Sequence, residues 1–400
     1  MTLTRPLPGI RLEAVAQPLR DALPRMDIPG FAGFAASGPL HVPVAVEDVA
    51  QFAMIFGGDV EVPGGIAHLG PSVRAFFRNG GKRCWVVRVA GAAIANEYAV
   101  PNLMRLNPHK PAIAIARSEG SWSDGIRVQT NLVSRVLQFV SSTTETVDVK
   151  LGSPRDVAIG DLVRVTYRDA ARAMHLFVDA IANGHLTGTA IWTNTTTHAV
   201  LATPANTPSE SPSVEVLTFD LTAIRENDRP LRMTGLGFAP KHPRYFGALP
   251  TDAQLYETND WQPFWRDTAA PRFSLAAKEP SGFYLPAGMT PFFSDAASAT
   301  PQSEIALVRD GLKAFTADLF LDASVRHSTV RDLLDRANSL RYEANQKLQG
   351  IHALLGIEEA TMLAAPDAVH RGWLLDSADK LPAPVNEKPV KKDATPQTFN

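Results

Sequence analysis

The residue types that most often bind zinc or act as nucleophiles are present but scattered. Ten histidines occur along the chain without a His-Glu-x-x-His segment or a His-x-His pair, so their spacing does not indicate a zinc site. The single cysteine, Cys84, lies between Arg83 and Trp85 in a β-rich run, a pattern typical of a buried structural thiol. One cysteine cannot form an intrachain disulfide or a four-cysteine zinc site.

Motifs for phosphate binding and hydrolysis are also missing from the sequence. Gly235-Leu236-Gly237 lacks the third glycine of a dinucleotide fingerprint, and no G-x-x-x-x-G-K-[ST] segment occurs. The segment Gly120–Gly125 contains two serines but does not match G-x-S-x-G. Three nearby aspartates, Asp156, Asp161 and Asp169, lack the spacing of a calcium loop and are better explained as turn residues. We therefore expect neither an enzyme nor a cofactor site.

Composition indicates a folded protein of two or three domains. Among the 400 residues 45% are hydrophobic and 20% are charged, and Lys plus Arg total 39 against 41 Asp plus Glu. Because no part of the chain is strongly basic, nucleic-acid binding driven by phosphate neutralisation is not expected. The N-terminal residues lack a signal-peptide core, and no run approaches the roughly 18 apolar residues of a membrane helix. These features predict folding in the cytoplasm.

Helix and strand patterns alternate in the first part of the chain. Residues 47–56 and Leu69–Phe77 have apolar residues at helical spacing, and glycines follow both runs. Cys84–Val89, Ala112–Ala116 and Ile126–Thr130 are predicted strands, and 27–39 is a predicted buried strand leading into a Gly-Pro turn. The predicted fold class is therefore α/β (α+β), with a first core part over residues 26–150.

The pattern changes between Leu151 and Thr203. Short β runs are separated there by glycines and polar turns, which predicts about five strands in a small all-β module, a barrel or a sandwich. Residues 204–213 form a polar Pro/Ser linker, so the inserted β module spans 151–213 and is expected on the outer surface. The core resumes over 214–371.

Two further elements are predicted near the C-terminus. Apolar residues at helical spacing from Thr329 to Leu355 predict one long amphipathic helix that begins with a capping box. Residues 360–365 predict a buried strand that ends at Pro366-Asp367. The Pro- and Lys-rich residues 372–400 predict a solvated tail.

Residues 1–25 predict an extended N-terminal arm. Apolar Ile10, Leu12 and Val15 nearly alternate with Arg11 and Glu13, as in a half-buried strand. Because prolines on both sides separate this strand from later elements, it pairs either with another chain or with a distant edge of its own domain.

Several blocks resemble, in order, the contractile tail sheath proteins of phages, pyocins and related injection systems. The segment Pro8–Glu13 is similar to the N-terminal PGVYVEE strand of the family, and Ala116–Val128 (ARSEGSWSDGIRV) to its A-x-S-x-G-x-W-x-N-G-x-R-V segment. The other similar blocks are Ile28–Val44, Phe52–Gly58, Leu69–Gly81, Lys82–Val89, Leu236–Leu249 and Gly350–Asp367. Together they extend from residue 8 to about residue 370, apart from the inserted module.

The resemblance implies a sheath-like core and a structural function. It implies that Ile10, Arg11, Leu12, Glu13 and Val15 form an intersubunit arm that adds to a sheet of a neighbouring subunit, so that copies assemble into an open helix around an inner tube. The implied partners are the same chain, the inner tube protein, and baseplate and tail terminator or cap proteins. No cofactor or nucleic acid is implied, and any membrane contact is indirect. Such particles assemble in the bacterial cytoplasm and end as a virion tail or a released device.

The alternative function belongs to a different class, that of carbohydrate- or cell-surface-binding proteins. The inserted β module could bind carbohydrate or a cell surface, with Tyr167 and Trp192 as stacking residues. This alternative requires both aromatic rings to be accessible.

Overall fold

The computed structural model describes residues 27–370, except for 64, 107–109, 144–147, 168–170, 198, 203–211, 227, 258–271, 288–292, 295, 298–304, 337–338 and 341–346. The predicted arm (1–25) and tail (372–400) therefore lie outside the described residues.

The described chain contains short helices and many strands. The helices are α1 Val49–Phe56, α2 Leu69–Arg78, α3 Asp252–Glu257, α4 Ala306–Arg309 and α5 Val330–Asp335. Turns of 3₁₀ helix lie at Ser121–Ser123, Pro154–Asp156, Phe246–Ala248, Ala317–Leu319, Gly350–Gly356 and Pro366–Val369. The strands are β1 Pro29–Gly33, β2 Val44–Val46, β3 Glu61–Val62, β4 Gly65–Ile66, β5 Cys84–Arg88, β6 Glu97–Leu106, β7 Lys110–Ala116, β8 Arg127–Leu137, β9 Phe139–Thr143, β10 Asp148–Leu151, β11 Leu162–Tyr167, β12 Arg172–Ala182, β13 His185–Asn194, β14 Val200–Leu201, β15 Ser213–Ile224, β16 Leu231–Leu236, β17 Leu275–Ala277, β18 Phe283–Pro286, β19 Phe293–Ser294, β20 Ala296–Ala297 and β21 Met362–Ala364.

Sheet 1 has the order β2-β5-β1-β21 and joins the two ends of the described chain. Strand β1 is parallel to both β5 and β21, whereas β2 is antiparallel to β5. Helix α1 begins where the Asp48 carboxylate accepts the Gln51 N–H, and it ends at Gly57, whose φ of 80° favours glycine. Phe52, Ile55 and Phe56 of this helix are buried in the core cluster that includes Val44, Val46 and Val86.

Sheet 2 closes on itself as a small barrel. Its order is β19-β8-β15-β11-β12-β13-β10-β9, with β14 paired to β13 and β16 paired to β15. Only Gln138 separates β8 from β9, so the two ends of this path belong to one run of chain. Alternate residues face a core inside the barrel: Leu137, Val149, Leu151, Val157, Val163, Val165, Tyr167, Met174, Leu176, Val178, Leu186, Trp192, Val214 and Val216.

Sheet 3 has the order β17-β7-β6-β18, with β20 paired to β6. A second core cluster joins it to β8, β15 and β16 of sheet 2; its largest members are Tyr98, Phe177, Phe219, Phe238, Tyr245, Phe246 and Tyr284. Sheets 2 and 3 therefore share one hydrophobic core. A further small sheet pairs β3 with β4.

The described chain is a mixed protein in which strands predominate, and the predicted short elements are found. Helices α1 and α2 and strands β1, β5 and β7 lie where the sequence predicts them. The strands predicted within 151–213 are β11–β14, but they share the barrel with β8, β9, β10 and β15. The barrel therefore extends beyond both predicted boundaries, because alternation identifies strands without identifying their partners.

Two C-terminal predictions need correction. The long helix predicted from Thr329 to Leu355 is not continuous: α5 ends at Asp335, residues 347–349 are not helical, and Gly350 has a φ of 61°. Apolar residues keep a helical spacing through this range although they belong to separate short segments. The periodicity of the sequence therefore overestimates the length of the helix. The strand near residues 360–365 exists as β21, but Met362 and Leu363 are 42% and 50% exposed rather than buried.

In the described part of the chain, no helix is both long and apolar enough to cross a lipid bilayer.

Candidate functional site

The candidate site is the edge of sheet 1 formed by β21, which we call the acceptor edge (Met362–Ala364). One side of β21 pairs with β1, and no strand among the described residues pairs with its other side. Half of the Leu363 side chain and a similar share of Met362 are exposed, and Val369 just beyond the strand is 72% exposed. An exposed apolar edge strand is a template for adding another strand.

The acceptor edge lies beside Ile28, which is close to the first described residue and shortly after the predicted arm (1–25). The Thr361 N–H donates to the Ile28 carbonyl oxygen at 3.0 Å, immediately before β21 and β1 begin to pair. If the predicted arm strand ends at Val15, the residues between it and Asp27 could span at most about 40 Å when fully extended.

A buried carboxylate anchors the other end of β21. Asp367 has no exposed surface and accepts hydrogen bonds from three donors. Its Oδ2 accepts the Phe34 N–H at 2.8 Å, and its Oδ1 accepts the His68 N–H at 2.5 Å and the His370 Nε2–H at 2.9 Å. Hydrogen bonds to an ionised acceptor are stronger than neutral ones.

The segment similar to the sheath A-x-S-x-G-x-W block forms the loop that joins β7 of sheet 3 to β8 of sheet 2. The carboxylate of Asp310 accepts the Ser121 N–H at 2.6 Å and the Ser121 hydroxyl at 2.9 Å. The Asn96 amide donates to the Asp124 carboxylate at 2.8 Å, and the Tyr98 hydroxyl donates to the Ser123 carbonyl oxygen at 2.6 Å. Burial raises the pKa of Tyr98 to about 12, so this hydroxyl remains a donor. These contacts give the loop a structural role.

A buried ion cluster lies next to this loop. Asp252 is fully buried and pairs with Arg117 and Arg272, and Arg272 also donates to the Tyr256 hydroxyl at 2.9 Å. Burial raises the pKa of the Asp252 carboxyl, while the two guanidinium groups act in the opposite direction. Because both arginines are engaged by protein groups, the cluster is best explained as a structural tie between α3 and the loop.

An open cleft of about 850 Å³ lies between α1, the loop and the turn that joins β15 to β16. Its lining includes Met54, Trp122, Arg225 and Arg272. Residues 258–271 lead directly into Arg272 and lie outside the described residues. The cleft therefore gives no basis for a ligand.

The residues singled out in the sequence are distributed as follows. Tyr167 and Trp192 are only 1% and 2% exposed, and their rings stack on each other 5.9 Å apart inside the barrel. They cannot stack on a carbohydrate from solution, so that part of the alternative function is wrong.

Cys84 is buried as predicted, and burial raises the pKa of its thiol to about 12. Ile10, Arg11, Leu12, Glu13 and Val15 lie outside the described residues.

Metal binding finds no support in the described residues, where no three His, Cys, Asp or Glu side chains form a group that could hold an ion. The acceptor edge itself was missed as a site by sequence reasoning. The signal available was the apolar run Met362-Leu363-Ala364 ending at Pro366-Asp367. It predicts a strand, but not that no described strand pairs with its outer side.

No protein-family model matches the sequence, and no curated protein matches it either.

Proposed function

We propose that this chain is a structural subunit of a contractile sheath, surrounding the inner tube of a phage tail or a contractile injection system. The observation that carries the proposal is the acceptor edge: an apolar edge strand whose outer side is unpaired among the described residues, and whose start lies beside Ile28, shortly after the predicted arm. Strand addition at this edge by the arm of another copy would link subunits through main-chain hydrogen bonds. Such a heterologous contact repeats as an open helix.

The arrangement of the sheath-like blocks supports the same proposal. Ile28–Val44, Lys82–Val89 and Gly350–Asp367 are far apart in sequence, yet they supply β1, β5 and β21 of one sheet, and the first of them ends where β2 begins. The block around Trp122 forms a loop that Arg88 of this sheet holds by donating to the Glu119 carbonyl oxygen. Three of the similar segments therefore meet in one sheet and a fourth contacts it, whereas Leu236–Leu249 packs in the core shared by sheets 2 and 3.

The proposal implies a set of partners and a location. The partners are further copies of the chain, the inner tube protein, and baseplate and terminator or cap proteins. Assembly would take place in the bacterial cytoplasm before the particle becomes a virion tail or is released. The work of contraction would come from subunit rearrangement, so no catalytic site is required.

Electron microscopy of the full-length protein tests the proposal. Negatively stained preparations are expected to show striated tubes, and Leu363→Lys is expected to abolish them by placing a charge at the acceptor edge. The matched control is Leu334→Lys, which changes a 71% exposed leucine on α5, away from the edge. Monodisperse particles from the unmodified protein, or tubes formed equally well by Leu363→Lys, would contradict the proposal.

A further inference from the structure

Asp367 links three elements that are distant in sequence. Its donors are the residue after β1 (Phe34), the residue preceding α2 (His68), and its own 3₁₀ turn (His370). Phe34 and His68 are 333 and 299 residues away along the chain. The N-cap residue of α2, His68, makes no side-chain capping hydrogen bond. The Asp367 carboxylate instead lies at this helix N-terminus, where the helix dipole stabilises a negative charge.

Strand β21 needs anchors at its ends because its pairing is short. Only three of its residues have partners on β1, and two of its three side chains are largely exposed. Thr361 ties the first end to Ile28, and Asp367 ties the segment after the last end to Phe34. These two ties hold both ends of β21 against β1, and Trp85 of β5 adds a hydrogen bond to Glu359 just before the strand.

Stacked rings isolate the Asp367 carboxylate from water. The His370 ring lies parallel to the His68 ring with centroids 4.4 Å apart, and Phe34 and Phe315 stack within about 6 Å of His370. In such a site, loss of the acceptor leaves the buried Phe34 N–H and the partly buried His68 N–H without a partner. Loss of a buried hydrogen bond is more costly than loss of an exposed one.

We propose that Asp367 is the positioning residue of the acceptor edge. It holds β21 in the position from which a strand of another copy can add, and without it β21 detaches from β1 while the rest of the body stays folded. The inference rests on the proposed function, since it assigns a residue that prepares the same edge.

Amide hydrogen exchange on the full-length, dispersed protein tests the proposal. Asp367→Asn replaces one acceptor oxygen with a donor, so the Phe34 or His68 N–H loses its partner. The Thr361 amide, which does not contact Asp367, is expected to exchange about tenfold faster or more, with an unchanged melting temperature of the body. Tube formation is expected to require at least about ten times more protein.

The matched control is Asp310→Asn. Asp310 is also buried, being 7% exposed, and its carboxylate accepts the Ser121 N–H in another part of the molecule. This variant should leave the Thr361 amide unchanged. If Asp367→Asn leaves the exchange of Thr361 or tube formation unchanged, the inference is overturned while the proposed function stands. If the unmodified protein forms no tubes, the proposed function fails and the inference with it.

A measurement without substitution covers the case in which Asp367→Asn fails to fold. In the unmodified protein, the Phe34, His68 and Thr361 amides should respond to low denaturant together, as one opening unit. Independent opening of Thr361 would overturn the inference.

Discussion

Nη1 of Arg88 lies 2.9 Å from the carbonyl oxygen of Gly38, and it also donates to the carbonyl oxygen of Glu119 at 2.9 Å. Arg88 lies on β5, an inner strand of sheet 1. Its guanidinium therefore holds both the Gly-Pro turn and the loop that joins β7 to β8. The residue is 1% exposed, and burial lowers its pKa to about 10, so it remains charged at neutral pH.

Arg88→Leu is expected to lower the free energy of unfolding by about 3 kcal/mol, because two buried carbonyl oxygens lose their donor and nearby carboxylates lose a counter-charge. Urea denaturation monitored by circular dichroism measures the change. Arg78→Leu, at the exposed end of α2, should stay within about 0.5 kcal/mol of the original protein. Equal effects of the two substitutions would show that Arg88 does not hold the two segments.

Removal of residues 1–20 should separate folding from assembly. We expect the melting temperature to stay within a few degrees of the full chain, because the arm would pair with another copy, and we expect tubes to be absent. Differential scanning calorimetry and electron microscopy on the same preparations measure both. A large fall in melting temperature with tubes retained would instead place the arm in the sheet of its own chain.

Trp192→Ala tests the assignment of the barrel interior. The side chain is 2% exposed and stacked on Tyr167, so its loss should destabilise the protein by about 3–5 kcal/mol through cavity formation. Ile159→Ala, at a half-exposed position near the same barrel, should cost less than about 1 kcal/mol. A stable Trp192→Ala protein would indicate that the ring is accessible and would reopen the carbohydrate-binding alternative.

Acid should destabilise the fold through His41. Its Nδ1 accepts the Gly350 N–H at 3.1 Å and its Nε2 lies 3.2 Å from the Ala90 carbonyl oxygen. Burial is the largest cause that lowers its pKa from the ordinary value of 6.5; Arg88 acts in the same direction, and Asp322 opposes it. Because the unfolded chain binds the proton more readily, this stabilisation is complete above pH 6.5 and declines as the pH falls through 6.5 toward the lowered value.

Urea unfolding at a series of pH values between 8 and 5 measures this effect. His41 has a φ of 58°, so His41→Asn is the suitable variant, since asparagine tolerates that conformation. The variant should show a weaker loss of stability below pH 6.5. An unchanged pH dependence would exclude His41 as a source, leaving His242 and His352, whose pKa values burial also lowers.

Local elements followed from the amino-acid sequence alone. The spacing of Phe52 and Phe56 and the glycine after them predicted α1, and the β-rich run from Cys84 predicted β5 with a buried thiol. These predictions succeed because helix and strand periodicities, and the glycines that end helices, act over a few residues. The sequence also indicated that Asp367 ends a strand.

Tertiary structure alone decided which elements meet. Strand β21 pairs with β1 although 333 residues separate Ile28 from Thr361, and Gln138 joins the two edges of a barrel whose strands were predicted only one by one. It also decided that Trp192, a stacking residue in the carbohydrate-binding alternative, is enclosed, and that Leu363, predicted in a buried strand, is half exposed. Alternation of apolar residues shows that a strand has a buried face, but the partner strand and the remaining free edge depend on the packing of the whole chain.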